Sequence, residues 1–244
     1  MTVIAFHSPK GGAGNTLVTA GIARRAATRG HTVSAYDMTR QDSLKLFFGL
    51  LPHQKLIGAN GEAMVVRGVR LNGNYVTQGE RETVIERIKA TQADELALVD
   101  IASADWDGWE QIRRFADLSI CVIEPNPIGL ASLTRLGEQC PVTERDDIAI
   151  VLNKLDDRRK LSRHCHRFMK QLFVNQFVGS IRRDESANEA VARFESLAEY
   201  APNSVIISDV DILLDSIEQR LATTAQVRDP QQLRAVHSAE RQTV

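Results

Sequence analysis

The stretch TVIAFHSPKGGAGNT, residues 2–16, decides the fold. Its first six residues, TVIAFH, are mostly β-branched, apolar or aromatic, as a short buried strand requires. Glycines at 11, 12 and 14 then interrupt regular structure. Thr16–Arg29 carries Leu17, Val18, Gly21, Ile22 and Ala26 near helical spacing, and Gly30 closes the run as a helix-ending glycine. Strand, glycine-rich turn and helix form the context in which such a loop binds phosphate. Glycines let consecutive N–H groups turn inward toward an anion, and the helix adds its positive N-terminal end. The candidate cradle is Lys10, Gly11, Gly12, Ala13, Gly14, Asn15 and Thr16, followed by Leu17, with the Thr16 hydroxyl suited to a magnesium ion. Against the strict pattern G-x-x-x-x-G-K-[ST], Pro9 stands where the first glycine belongs and Asn15 where the lysine belongs. A bare structural turn is the competing reading, and the register of Gly11, Gly12, Gly14 and Thr16 after a strand weighs against it.

Working outward, short apolar runs alternate with longer amphipathic stretches, which predicts βαβ units and a doubly wound, mainly parallel sheet with helices on both faces. Further strands are expected at Thr32–Tyr36 (ending on Asp37), Leu96–Ile101, Leu118–Glu124, Asp147–Leu152 and Phe177–Ile181. Helices are expected at Asp42–Gly49, Thr83–Thr91, Trp106–Phe115, Gly129–Leu136, Leu161–Phe173, Asp184–Phe194 and Asn203–Leu221. Leu50–Gly79 is poorly patterned and allows only a weak strand, near Met64–Val69 or Tyr75–Thr77. Residues 1–221 read as one α/β domain and 222–244, poor in large apolar residues, as a mobile or weakly helical tail.

Composition narrows the function. The 244 residues carry 30 Lys+Arg against 31 Asp+Glu, so a chain-wide polyanion binder is disfavoured and DNA is an unlikely partner. Aromatic content of 5% leaves little for base stacking on a single strand. No apolar run approaches the ~20 residues that span a bilayer, and the N-terminus lacks the pattern of a secretory signal. Three scattered cysteines make no disulfide framework. A cytoplasmic protein with reduced thiols is expected.

Lys10-Gly11-Gly12-Ala13-Gly14-Asn15-Thr16 resembles the deviant Walker A motif KGGxGK[ST] of the ParA/MinD ATPases, and the order of elements is similar through about Leu221. The resemblance implies ATP and Mg2+ as cofactors and an ATP-dependent homodimer in which Lys10 reaches the partner's phosphates. It gives Lys10 and Asp37 catalytic roles, Asp37 being the first acid of the family's D-x-D-P-Q box. The second acid, which positions the attacking water, falls on Thr39, whose hydroxyl orients water less strongly than a carboxylate. Asp100 falls where a magnesium-holding acid ends a strand, so Thr16, Asp37 and Asp100 form the implied metal set. With both the second lysine and the second acid replaced, binding is better supported than hydrolysis. The distal segments VLNKLDDRRKLSRHCHRFM, SIRRDESANEAV and LAEYAPNS resemble the subfamily associated with cellulose synthesis, which implies a partner in a cellulose secretion complex and only indirect recruitment to the inner membrane or a cell pole.

Three weaker signals remain. Asn153-Lys154-Leu155-Asp156 spells the N-K-x-D guanine motif, while the resemblance implies adenine, with Asn153 at the base. His164, Cys165 and His166 diverge by about 100° on a helix and cannot converge on one metal. Arg158, Arg159, Lys160, Arg163, Arg182 and Arg183 read as a solvated basic face or, as the lesser alternative, a docking patch.

Overall fold

A computed structural model describes residues 1–56, 63–73, 78–137 and 142–228. β1 (Thr2–His7) leads through the glycine loop into α1 (Asn15–Thr28), and β2 (Thr32–Asp37) follows. Next come β3 (Met64–Val66), β4 (Val69–Asn72), α2 (Gln78–Lys89), β5 (Glu95–Asp100), α3 (Trp106–Arg113), β6 (Leu118–Ile123) and α4 (Pro127–Ser132). The chain continues through β7 (Ile148–Leu155), α5 (Lys160–Leu172), β8 (Phe177–Arg182), α6 (Ser186–Ala192), α7 (Leu197–Tyr200) and α8 (Val205–Arg228). The eight strands lie in the order β3-β4-β2-β5-β1-β6-β7-β8, and every pairing is parallel except β3 with β4. β1 sits between β5 and β6, where the strand order reverses, so the loop after it opens at the crevice that open α/β sheets use for ligands.

The central strands are apolar on both faces because both are covered. Along β1, Ile4 and Phe6 pack toward α1 and α8, while Val3 and Ala5 pack toward α2, α3 and α5. α3 is seated on the end of β1 by Trp106 and Trp109, whose rings lie 4.7 and 5.4 Å from the buried His7 ring.

The strand and helix expectations hold, with local differences. The 42–49 helix is a five-residue 3-10 turn, Leu44–Phe48, ended by Gly49 at φ 79°. The 129–136 helix is α-helical only to Ser132, and the chain tightens into a 3-10 turn from Leu133 to Gly137. The unpatterned stretch holds a hairpin of β3 and β4 around Arg67 and Gly68, both with positive φ (52° and 82°). That is the primed-turn geometry that suits strand twist, and it was concealed by an arginine where Asn or Asp would signal it. α7, also unexpected, carries a capping box between Ser196 and Glu199. The Tyr75–Thr77 alternative lies outside the described residues, as does the tail from 229. Residues 222–228 continue α8. No described helix is long and apolar enough to cross a membrane.

α8 belongs to the core of the domain, since Val210, Leu213, Leu214 and Ile217 are buried against α1 and the sheet. Ile217→Ala is therefore expected to lower unfolding stability by about 2–5 kcal/mol in urea denaturation, as cavity-forming core truncations do.

Candidate functional site

The loop between β1 and α1 is shaped by backbone requirements that only some residues meet. Gly12 and Gly14 sit at φ 86° and 87°, in the left-handed region. Gly14 has a second reason to be glycine, because a Cβ there would stand 2.2 Å from Asn153 Nδ2. The Ser8 hydroxyl donates to Lys10 O at 2.6 Å and accepts from Lys10 N at 3.4 Å, which fixes the loop's first turn. The loop forms one wall of an open groove of about 730 Å³, with Thr39 and Arg40 from the turn after β2, Asp100 from β5, and Lys154 from β7. Lys10 is exposed at the start of the loop.

Position 15 departs most from a phosphate-binding loop. The Asn15 side chain turns beneath the loop, where its Nδ2 donates to Asp100 Oδ1 at 2.6 Å and to Phe6 O at 3.0 Å. It ties α1 to the ends of β1 and β5 and contributes no charge to the groove, so any contact of Asn15 with a nucleotide falls to its backbone N–H. Asp100 is fully buried, and its Oδ2 has no hydrogen-bond partner. Burial, and then the charge of Asp37, push the Asp100 carboxyl up to about 7, although Thr16 and Asn15 beside it hold it down. A buried carboxylate oxygen left unpaired, beside a threonine hydroxyl and below a glycine cradle, fits a site for a magnesium ion.

Asp37 was expected among the metal ligands; in the structure both of its oxygens accept hydrogen bonds within its own turn. Its Oδ1 accepts from Thr39 N at 2.8 Å and Thr39 Oγ1 at 2.5 Å, and its Oδ2 accepts from Leu44 N at 2.8 Å. Fully buried and absent from the groove lining, it caps the turn that carries Thr39. Burial raises its pKa, and the three hydrogen bonds oppose that rise. Of the expected metal set, Thr16 and Asp100 come together and Asp37 stands behind them.

A second cavity of about 270 Å³ adjoins the groove, sharing Leu17, Lys154 and Asn188 with it. Asn153 is fully buried, and its Nδ2 donates to Ala13 O at 2.7 Å, so this amide holds the loop. Lys154 Nζ donates to Gly12 O at 2.5 Å and pairs with Glu124 Oε1 at 2.7 Å. Sequence reasoning missed this lysine as a site residue; its place in N-K-x-D was the available signal. Asp156 lines the cavity and is paired at 3.2 Å with both Arg158 and Arg159, and Arg158 holds its carboxyl below the usual range. The remaining arginines of the basic face are also engaged: Arg163 donates to Asp157 O, Arg182 forks onto Asp209, and Arg183 pairs with Glu185. On α5, Cys165 is buried and His164 exposed, pointing apart.

Residues 4–197 match the model of the CobQ/CobB/MinD/ParA nucleotide binding domain. The chain belongs to this family. No curated protein matches it. Among solved structures, MinD of the MinC:MinD cell division complex of Aquifex aeolicus is similar at a TM-score of 0.72 and 16% identity, over 90% of this chain and 96% of that one. A ParA family ATPase from Chlorobium tepidum TLS matches at 0.70 and 20%, over 87% and 97%. The septum site-determining protein MinD of Pyrococcus horikoshii OT3, complexed with Mg-ADP, matches at 0.68 and 16%, over 91% and 98%. At such identities the likeness is one of fold.

The buried acid carries a stability consequence. Folded Asp100 holds a proton up to about pH 7, whereas the unfolded group releases it near 3.8. The folded state therefore binds more protons between those values, and stability falls as pH rises through that window. Asp100→Asn keeps an acceptor for Asn15 and removes the ionisation. We expect the variant to be more stable than wild type at pH 8, by on the order of 2 kcal/mol, with the difference vanishing toward pH 4 in urea titrations. A variant less stable at pH 8 would contradict the assigned burial cost.

Proposed function

We propose that this protein is a nucleotide-dependent dimerisation switch that binds Mg-ATP in the loop groove and hydrolyses it slowly. The observation that carries the reading is the unpartnered, buried Asp100 Oδ2 beside Thr16, below a loop whose Gly12 and Gly14 adopt positive φ. In this reading the backbone of Gly11–Thr16 with Leu17 holds the phosphates, and Thr16 and Asp100 hold the magnesium. The metal would lower the cost of charge on the terminal phosphates. Asn153 acts through the loop, by keeping Ala13 in place. Lys10, exposed at the groove's rim, is free of the strand edge and suited to crossing to a second copy's nucleotide. The family likeness supports this, since Pyrococcus MinD was solved with Mg-ADP and a Borrelia burgdorferi partition protein with AMPPNP.

Slow turnover follows from two groups. Position 15 supplies no cation, and the Thr39 hydroxyl already gives its proton to Asp37, which leaves it only as an acceptor for water. Each missing group of this kind costs about 10²–10³ in rate in other preorganised sites. The long-lived triphosphate state would then present a surface to a protein partner. By the resemblance of its distal segments, we place that partner in cellulose secretion and the protein in the cytoplasm, at the membrane or pole only through that partner. A ParA-like role in positioning a cargo is compatible with the same fold.

One observation favours a second reading of the base. Asp156 lines the adjoining cavity and, ionised, can only accept hydrogen bonds. Guanine presents donors at N1 and N2 to such a group, whereas adenine N1 is itself an acceptor.

Calorimetric titration with ATP, ADP and GTP, each with Mg2+, tests the function and the base together. We expect Mg-dependent binding, weakened at least about tenfold by Thr16→Ala on the loss of a metal-bound hydroxyl. No binding of any nucleotide would overturn the reading. By light scattering, the triphosphate is expected to give a dimer in the wild type, with Lys10→Ala remaining monomeric. A wild type monomeric with triphosphate would sink the dimer.

A further inference from the structure

We propose that Lys154 is the phosphate-binding cation of this site, entering from the end of β7 in place of the lysine that position 15 lacks; this rests on the reading that the loop binds a nucleoside triphosphate. The backbone of β7 is built to deliver it. Between the pairs Leu152↔Ser180 and Leu155↔Arg182, β7 carries one residue more than β8, and Lys154 sits at φ 59°, a left-handed conformation that a lysine adopts only at a cost. Bulges of this kind re-aim a side chain. Here the bulge turns Lys154 away from the strand and over the glycine loop, where its Cε stands 3.9 Å from the Cβ that any residue other than glycine would carry at position 14.

The ammonium rests on Gly12 O and Glu124 Oε1, at the junction of the groove and its adjoining cavity. The Gly12 carbonyl belongs to the glycine loop itself, so the charge stands at the loop's edge. With 42% of the Lys154 side chain exposed and 27% of that of Glu124, the pair is wet enough to exchange partners at little cost. A triphosphate outcompetes one carboxylate for a lysine by virtue of its charge density. Lys10 and Arg40 also line the groove and, like Lys154, are exposed, Lys10 at the loop's start and Arg40 on the turn after β2. Lys154 is the lysine held on the loop itself, with Glu124 as its resting partner when the groove holds no nucleotide.

The competing role is a clip that ties Gly12 to Glu124 without touching phosphate. The two are separated by measuring affinity against phosphate number. Wild type, Lys154→Gln, Lys154→Arg and Glu124→Gln would be titrated by calorimetry with the mono-, di- and triphosphates of adenosine and guanosine in Mg2+. We expect Lys154→Gln to weaken the triphosphate by about 10- to 100-fold, as loss of a hydrogen bond to a charged group does, and the monophosphate far less. Lys154→Arg should keep most of the triphosphate affinity. Glu124→Gln, which removes the competing charge, should tighten triphosphate binding several-fold.

An equal loss for mono-, di- and triphosphate in Lys154→Gln would show a clip and overturn the proposal, as would no loss. Should Lys154→Gln fail to fold, Glu124→Gln decides alone, and unchanged or weaker triphosphate binding would overturn it. A wild type that binds none of the six would remove the nucleotide reading and this assignment together. Binding by the wild type with Lys154→Gln unaffected would remove only the assignment.

Discussion

The hydrogen bond from Asn15 to Asp100 fixes the arrangement on which the site depends. It joins the first residue of α1 to the last residue of β5 at 2.6 Å, and the same amide also reaches Phe6 O on β1. A lysine at position 15 would carry its charge out along the loop. An asparagine is short enough to turn under the loop, and it trades a cation for a brace. The brace also meets part of the need of a carboxyl group whose pKa burial and the neighbouring Asp37 charge raise to about 7. Its other oxygen stays without a partner, which makes this corner of the fold the place where binding of a divalent ion has most to gain.

From that brace the rest of the site is layered. Asn153 and Lys154 hold the loop from the β7 side through the carbonyls of Ala13 and Gly12. Asp37 and Thr39 close the β2 side through an internally satisfied turn. The loop is thus held from beneath and from both flanks by side chains that use amides, a hydroxyl and one ammonium. The turns of the loop need the positive φ that the glycines at 12 and 14 supply. Electrostatically, the groove keeps its cations at the rim and at the β7 edge, and the buried Asp100 at its floor.

Much of this was legible in the sequence. Alternating apolar runs gave the parallel sheet because both of its faces are covered, which produces continuous runs such as LALVD and LSICVI. The turns at Gly12 and Gly14 were legible because a positive φ restricts those positions largely to glycine. The hairpin at 64–72 was hidden because Arg67 adopts a positive φ that sequence assigns to Asn, Asp or Gly. The surroundings of Asp37 were not legible, for a different reason. Sequence locates a carboxylate at a strand end, but whether it faces the groove or caps its own turn depends on Leu44, seven residues away, donating to it. The placement of Lys154 over the loop was hidden because N-K-x-D marks the residue but not the bulge against β8, a pairing 28 residues downstream, that turns it there.

The central claim is that the loop of residues 10–17 is an anion cradle that works without a lysine at position 15. Amide hydrogen exchange of the whole chain, with and without Mg2+ and nucleoside triphosphate, tests it most directly. We expect the strongest new protection at the backbone N–H groups of Gly11–Leu17, with lesser protection at the ends of β5 and β7. Protection confined to the cavity lined by Asp156 and Arg183, with the loop amides exchanging as before, would contradict it.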